Sequence, residues 1–267
     1  MTKKKNGNSN GNGGTALATI PASDFAALSA TGDLKESMDA LAAVGETITP
    51  QDLVRVKTPA EGGTEWEIPG PAGVERTPEL VGALVYWQKC GLLWPSNDPV
   101  KGQLPVLRTW DLITAEQVGP IPDDMIETLE QHRAPNGTFK WLNLPYNQWG
   151  TGLNGVGKRC KEQRMMFLLR KTDAYPLLVI VQPGSLKLVV AWFKQITQQL
   201  GIPWYRAIVR LTLKQTTSKG GIVFSQIVPE VVGVLSPEDG AVIKKTWTEK
   251  LATIARQVEV EPEDSDD

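Results

Sequence analysis

The chain is poor in the residues that most catalytic and metal chemistry requires. Its 267 residues include one histidine, His132, and two cysteines, Cys90 and Cys160. Two cysteines in this length suggest a reducing compartment. A closed structural zinc site usually needs four Cys or His ligands, and the chain offers three at wide spacing. Serine, cysteine and metal catalysis mostly lean on a histidine or an activated thiolate. His132 lies between Glu130 and Arg133 in a polar helical stretch and reads as a surface residue. Long apolar runs are missing as well. The longest candidate, PLLVIVQPGSLKLVVAWF, is broken by Pro183, Gly184 and Lys187, short of the roughly 18 apolar residues of a membrane span. The opening MTKKKNGNSNGNGG has basic residues but no apolar stretch of a secretory signal. The expectation is a cytoplasmic protein that is not an enzyme and holds no cofactor and no metal. Carboxylate-based metal chemistry is the one catalytic alternative. The strongest acid pairs, Asp123/Asp124 and the C-terminal run, fall in a helix start and a tail.

Glycine, by contrast, is abundant and locally concentrated. Gly152 to Lys158 spells G-x-x-x-x-G-K, most of a phosphate-binding loop. Such a loop needs a Ser or Thr next, because that hydroxyl holds magnesium, and here Arg159 follows. A buried strand should precede it, yet KWLNLPYNQW carries Pro145 and no clean alternation. PLLVIVQPG ends in Gln182 and Pro183, where a magnesium-holding Asp would be expected. The glycines belong to something other than a nucleotide pocket.

Charge is segregated. The net is −2, but residues 140–219 hold 13 Lys/Arg against Glu162 and Asp173 alone. Six acids crowd the last nine residues, from Glu259 to Asp267. A basic block in a mildly acidic chain points to a polyanionic partner; a solvated face offsetting acidic neighbours is the plainer alternative.

Hydrophobic content of 41 % suffices for one sizeable core or two small ones. Residues 1–47 are expected to form a flexible arm, a Lys then Gly/Asn/Ser tract followed by an Ala-rich polar stretch. Residues 48–258 are expected to be the folded domain and 259–267 a disordered acidic tail. DLVRVKTP and TEWEIPGP read as a strand pair joined at Glu61-Gly62-Gly63. PELVGALVYWQKCG fits a helix or a strand, with Val, Tyr and Trp favouring the strand. VLRTWDLIT reads as a strand and PDDMIETLEQHR as a helix with acids in its first turn. RMMFLLRK and YPLLVIVQP flank a Thr172-Asp173 turn. SLKLVVAWFKQITQQLG reads as a helix with Ser185 as N-cap. A hairpin about Lys219-Gly220-Gly221 follows, then a closing helix capped by Ser236 with Pro237 first. This order predicts an α+β fold built on an OB-like Greek-key β-barrel with added helices; a split β-α-β fold shares the order.

Aromatics point toward unpaired bases. Of nine tryptophans, Trp141, Trp149, Trp192 and Trp204 fall in the basic block, with Tyr146 and Tyr205. Cations neutralise phosphate while rings stack on single-stranded bases. Trp192 reads as core of its helix, whereas Tyr146 and Trp149 suit stacking or packing equally. Arg206, Arg210 and Lys214 are spaced four apart, as on one strand face continued by Lys219, either lining a groove or merely solvated.

LPYNQWGTGLNGVGKRCKEQRMMFLLRK, YPLLVIVQPGSLKLVVAWFKQI and AIVRLTLKQTTSKGGIVFSQIV resemble a group of phage and prophage proteins of replication and recombination modules. TEWEIPGPAG and LVGALVYWQ extend the likeness over roughly residues 50–236. The resemblance implies an OB-like core and single-stranded-DNA binding. In that group the segment before the glycine loop reads C-x-x-C-P-x-N-x-F/W-G, and G-K-x-C-K follows, a zinc-ribbon-like set. Here Trp141 and Leu144 occupy the first two positions, Trp94 the upstream partner position, and only Cys160 remains. Apolar packing in place of a metal knot is expected to hold the loop. The expected nucleic-acid-binding residues are Lys140, Tyr146, Trp149, Lys158, Arg159, Lys161, Arg164, Arg206, Arg210, Lys214 and Lys219. The partners expected are single-stranded DNA and, through the acidic tail, replication or recombination proteins, with no membrane. An adaptor recruiting such enzymes is the alternative function. DNA against RNA, site size and oligomeric state stay open.

Overall fold

The computed structural model describes residues 17–25, 36, 40, 43, 44, 49–100, 102–218 and 221–258. Its organising element is β4, Glu79–Leu93, fifteen residues rich in the Val, Tyr, Trp and Leu that favour a pleated, buried surface. On one edge β4 pairs antiparallel with β8, Cys160–Leu169, which pairs in turn with β9, Leu177–Val181. β9 takes the two-residue β1, Arg55–Val56, as a parallel neighbour. The other edge of β4 is shared. Residues 79–83 pair with β10, Ala207–Thr217, which forms a long hairpin with β11, Val223–Val234. Residues 91–93 pair with β5, Leu107–Thr109, followed outward by β6, Thr114–Gln117, and β7, Phe139–Lys140. The sheet therefore forks.

The α-helices whose ranges are described are α1, Asp123–Glu130; α2, Pro183–Lys194; α3, Pro237–Ile243; and α4, Glu249–Gln257. α2 runs on into a π turn at Gln195–Gln199, and a second π turn, Lys244–Thr248, joins α3 to α4. The architecture is α+β. Among the described residues no pairing closes the sheet, which departs from the expected Greek-key barrel. One strand serving two branches on a single edge sends them apart instead of curling them round. No helix among the described residues is long and apolar enough to cross a membrane.

The central strands are buried on both faces. Met166, Leu168, Val179 and Val181 pack with Val189, Trp192 and Ile196 of α2. Met165, Phe167, Ile180 and Leu92 face Ile243, Trp247, Leu251 and Ile254 of the C-terminal helices. A third cluster joins β5–β7, α1 and the segment leading to β8. The N-terminal part contributes as well. Within the stretch expected to be a flexible arm, residues 17–25 are docked. Phe25 is fully buried in the C-terminal helices' cluster, Ile20 N–H donates to Val234 O (3.0 Å), and Asp24 pairs with Lys171 (2.7 Å).

Two local expectations change. The expected pair joined at Glu61-Gly62-Gly63 is present only as one antiparallel bridge, Lys57 with Glu67, and the longer hairpin near the start lies after it. β2, Trp66–Gly70, pairs with β3, Gly73–Thr77, about Pro71-Ala72. Gly73 takes φ +119 there, and Pro71 cannot continue a ladder. Trp66 is fully buried, and its Nε1 donates to Leu211 O (3.0 Å), tying this hairpin to β10. Ser185 is also not an N-cap. Pro183 opens α2 after Gln182, and Ser185 Oγ instead accepts the buried Ile227 N–H of β11 at 2.9 Å. Ser236 does cap α3, accepting from Asp239 N–H at 3.0 Å.

Candidate nucleic-acid interface

The segment from Lys140 to Cys160 is built on buried apolar residues and folded by its glycines. Trp141 and Leu144, fully buried, and Cys160 pack with Met125, Leu129 and Phe139. Thus two of the three residues at the zinc-ribbon-like positions, with the one remaining cysteine, share an apolar cluster; Trp94 lies buried in the adjoining one. Gly91 is required by this packing, since a Cβ there would come within 2.7 Å of the Trp141 ring. Two tight turns follow. Asn147, buried, donates from Nδ2 to Trp141 O (3.2 Å) and accepts from Lys158 Nζ (3.1 Å).

Beyond Trp149 the loop doubles back on itself. Gly150 and Gly152 N–H both donate to Gly157 O, at 2.7 and 3.2 Å. Gly150, Gly155 and Gly157 take positive φ values of 92°, 74° and 71°, which favour glycine. Thr151 Oγ1 donates to Gln148 O (2.7 Å) and accepts from Arg159 N–H (3.1 Å). The amides of Gly150, Gly152, Gly155, Val156 and Arg159 are spent internally, and the loop enters a strand, not a helix. The phosphate-loop pattern is a rigid turn.

That turn presents Trp149, 78 % exposed and the most exposed large apolar side chain described. Lys140 is exposed at the end of β7, and Lys158 also reaches Glu162 at 3.7 Å. Arg159 is a tie rod. Its guanidinium lies over the half-buried Tyr146 ring at 5.1 Å, donates to Pro95 O, and touches Met125 Sδ at 3.2 Å. Lys161 is half-buried on β8. Arg164, only 8 % exposed, donates to Gln163 O (2.8 Å), and burial holds its pKa below the ordinary arginine value.

The β10 residues form a separate group. Arg206 lies before the strand, in the short turn Trp204–Arg206, and its Nε donates to Leu235 O at 2.8 Å. Within β10 the alternating face is Arg210, Thr212 and Lys214, and the bulge near Ile208/Val209 adds its extra residue, Val232, to β11. Arg210 is matched by Glu79 (2.9 Å) and Glu230 (3.2 Å), while Lys214 is exposed. Lys219 lies outside the described residues, as does the acidic tail. The loop group sits beside residues 91–93 of β4 and the β10 group beside 79–83, roughly 30–35 Å apart at strand rise. The eleven expected residues do not make one site.

Neither cysteine is poised for chemistry. Burial pushes the Cys90 thiol up to about 12, against the nearby Arg108 and Arg164 charges, and moves Cys160 upward by the same cause. His132 Nδ1 donates to Thr128 O at 2.9 Å. No group of three or more His, Cys, Asp or Glu among the described residues could hold a metal. Because the folded pKa values lie above that of a free thiol, about 8.5, the folded state holds neutral thiols. The associated stability is complete below that value and is lost as pH rises toward 12. We therefore expect no maleimide labelling of either cysteine at neutral pH until the protein is unfolded, and no stoichiometric zinc by elemental analysis. Rapid labelling of the native protein, or one chelator-resistant zinc per chain, would contradict this.

A cleft of about 550 Å³ lies between the β2–β3 turn and the β8–β9 turn. Its one arginine, Arg170, is held by Asp173 (2.7 Å) and Glu75 (2.8 Å), which leaves little charge to offer a ligand.

Sequence reasoning passed over the fork itself. Residues 84–90 of β4 have no strand partner on the forked edge among the described residues; the turn Trp204–Arg206 packs against β4 instead, and several aromatics nearby are half-buried. Tyr86, on β4, donates from its hydroxyl to Gln88 Oε1 (2.7 Å), and its ring meets Trp204 edge-on at 6.4 Å. Gln88 Nε2 donates to Trp110 O (2.6 Å), and Arg108 lies over the Trp110 ring at 5.3 Å. Trp204 abuts Tyr205 (5.5 Å), over which Lys244 sits at 5.7 Å. Burial raises the Tyr86 pKa, opposed by the charge of Arg256 on α4. The signal available in the sequence was the aromatic pair Tyr86-Trp87 within one strand, which reads equally as core. No protein family, characterised protein or solved structure matches the chain at a significant level.

Proposed function

We propose that this chain is a phage-type single-stranded-DNA-binding protein, which coats unpaired strands during replication or recombination and performs no catalysis. The observation that carries the reading is Trp149, presented to solvent by a turn whose own hydrogen bonds fix it, inside the basic block. Leaving so large a ring unburied forgoes about 2–3 kcal/mol of burial free energy, and an unpaired base would recover part of it. Lys140 and Lys158, on the same basic segment, would serve as phosphate contacts. In OB modules a closed barrel supports the binding face; in an OB-like reading of this chain the forked sheet takes that part. The acidic tail at 259–267 would contact replication or recombination proteins.

Titration with oligo-dT, followed by tryptophan fluorescence, tests the reading. Trp149→Ala is expected to weaken binding by about 5- to 150-fold, the equivalent of one lost base stack. The adaptor reading has its own support, because Leu142, Leu153 and Val156 are exposed on the same segment. Unaltered oligonucleotide binding in Trp149→Ala, with loss of a protein contact, would favour that alternative.

A further inference from the structure

We propose that the outer edge of β3 docks an extended segment of a partner protein, one that alternates cationic and apolar side chains and joins the β2–β3 hairpin as a third strand. The proposal is independent of the nucleic-acid reading and uses none of its residues. Register decides which backbone groups are free. Pro69, which has no N–H, faces Val74, and Glu67 faces Arg76. Glu67 exchanges its N–H and C=O bonds with Lys57 on the far side of β2, at 3.5 and 3.2 Å. Both cross-strand pairs are therefore the kind without mutual hydrogen bonds, and the N–H and C=O groups of Val74 and Arg76 point away from β2. None of these groups has a partner among the described residues. Gly73 to Arg76 are exposed as well, Val74 by 58 %. Backbone groups left free along an edge are what an added strand pairs with.

The surroundings select the occupant. The cleft of about 550 Å³ borders this strand, and Gly73, Val74 and Glu75 line it. Three carboxylates surround it, those of Asp52, Glu75 and Asp173, against the single guanidinium of Arg170, so the excess charge is negative. Val74 shares one face of the hairpin with Pro69, and Glu75 turns to the opposite face. A segment lying along β3 thus meets an apolar side chain on one face and a carboxylate on the other. Alternating apolar and cationic residues match that, because cross-strand neighbours interact pair by pair. A second copy of β3 does not match. An antiparallel pairing that engages both outward residues of each copy sets Val74 against Arg76 and Glu75 against Glu75, and like charges directly opposite are destabilising. The chain's own acidic run, Glu259 to Asp267, carries the wrong sign.

The test is amide hydrogen exchange of the full chain, read by NMR at Val74 and Arg76. The probes are two capped octapeptides, one of Lys-Val repeats and one of Glu-Val repeats. Without peptide both amides are expected to exchange fast. The Lys-Val peptide should slow both, and the Glu-Val peptide should slow neither. Exchange unchanged by millimolar Lys-Val peptide, or equal protection by the two peptides, overturns the proposal. Slow exchange without peptide overturns it too, and a dimer by light scattering would then assign the edge to a second copy. Two variants extend the test. Val74→Pro deletes an outward N–H without touching the β2–β3 ladder. Folded by circular dichroism and read at Arg76, it should bind the Lys-Val peptide about 2- to 12-fold more weakly, the equivalent of one net hydrogen bond. Glu75→Gln should narrow the preference for the Lys-Val peptide by about 1.4- to 5-fold, the equivalent of one cross-strand charge pair. Unaltered affinity in the first and unaltered preference in the second would reduce β3 to a solvated rim.

Discussion

Trp141→Ala is expected to lower the unfolding free energy by about 3–5 kcal/mol, the usual cost of deleting a large buried aromatic. The ring is fully buried in a small cluster with Leu144, Phe139 and Cys160, and it fills the space over Gly91. Few neighbours there can relax to close the cavity. Its Nε1 finds no acceptor among the described residues, so packing supplies its contribution, and Trp141→Phe should retain most of it. The damage should spread to the loop, because Asn147 holds Trp141 O while also fixing Lys158. Denaturant titration measures the stability, and fluorescence quenching by iodide reports Trp149. Leu142→Ala, next in sequence but 68 % exposed, is the control, expected within about 0.5 kcal/mol of the parent. Equal effects of the two substitutions would mean that the apolar cluster does not hold the loop.

Affinity for oligo-dT is expected to fall about 100-fold between roughly 50 and 200 mM salt. Were all nine cations among the eleven expected residues in contact with phosphate, the log–log slope would be roughly −6. The geometry argues for less. Arg159, Arg164 and Arg206 are spent on backbone carbonyls, and Arg210 on two carboxylates. Lys140, Lys161 and Lys214 form no ion pair among the described residues, and Lys158 is only loosely paired. With Lys219 that makes five contacts and a slope of about −3.5. Titrations at four salt concentrations measure it. A slope near zero would sink the electrostatic account, and one near −6 would require the internal arginines to be released.

The arginines illustrate what a sequence conceals. A basic block is visible at once, but whether a guanidinium faces solvent or a carbonyl depends on chain segments far away, such as Pro95 for Arg159 and Leu235 for Arg206. Elements governed by local chemistry were legible. The acids at the start of α1, the Ser236 cap and the alternating β10–β11 hairpin all follow from neighbours in sequence. The parallel β1–β9 contact, the burial of Phe25 and the division of β4 between two branches do not, because each is decided by a distant partner. Trp141 and Leu144 were expected as packing residues only through the resemblance, and their burial agrees with that expectation. Tyr86 and Trp110 stood in no pattern.

The outer flank of β11 has a consequence for how the molecules behave in company. Ser185 Oγ occupies the Ile227 amide, Pro229 has no N–H to give, and residues 18–20 cover the Val234 end. A long strand left open at the rim of a sheet is a template on which a neighbouring chain can add itself. Here that template is interrupted along its length by a hydroxyl, a proline and the chain's own beginning. Copies at high concentration can touch through their side chains without their sheets fusing into one.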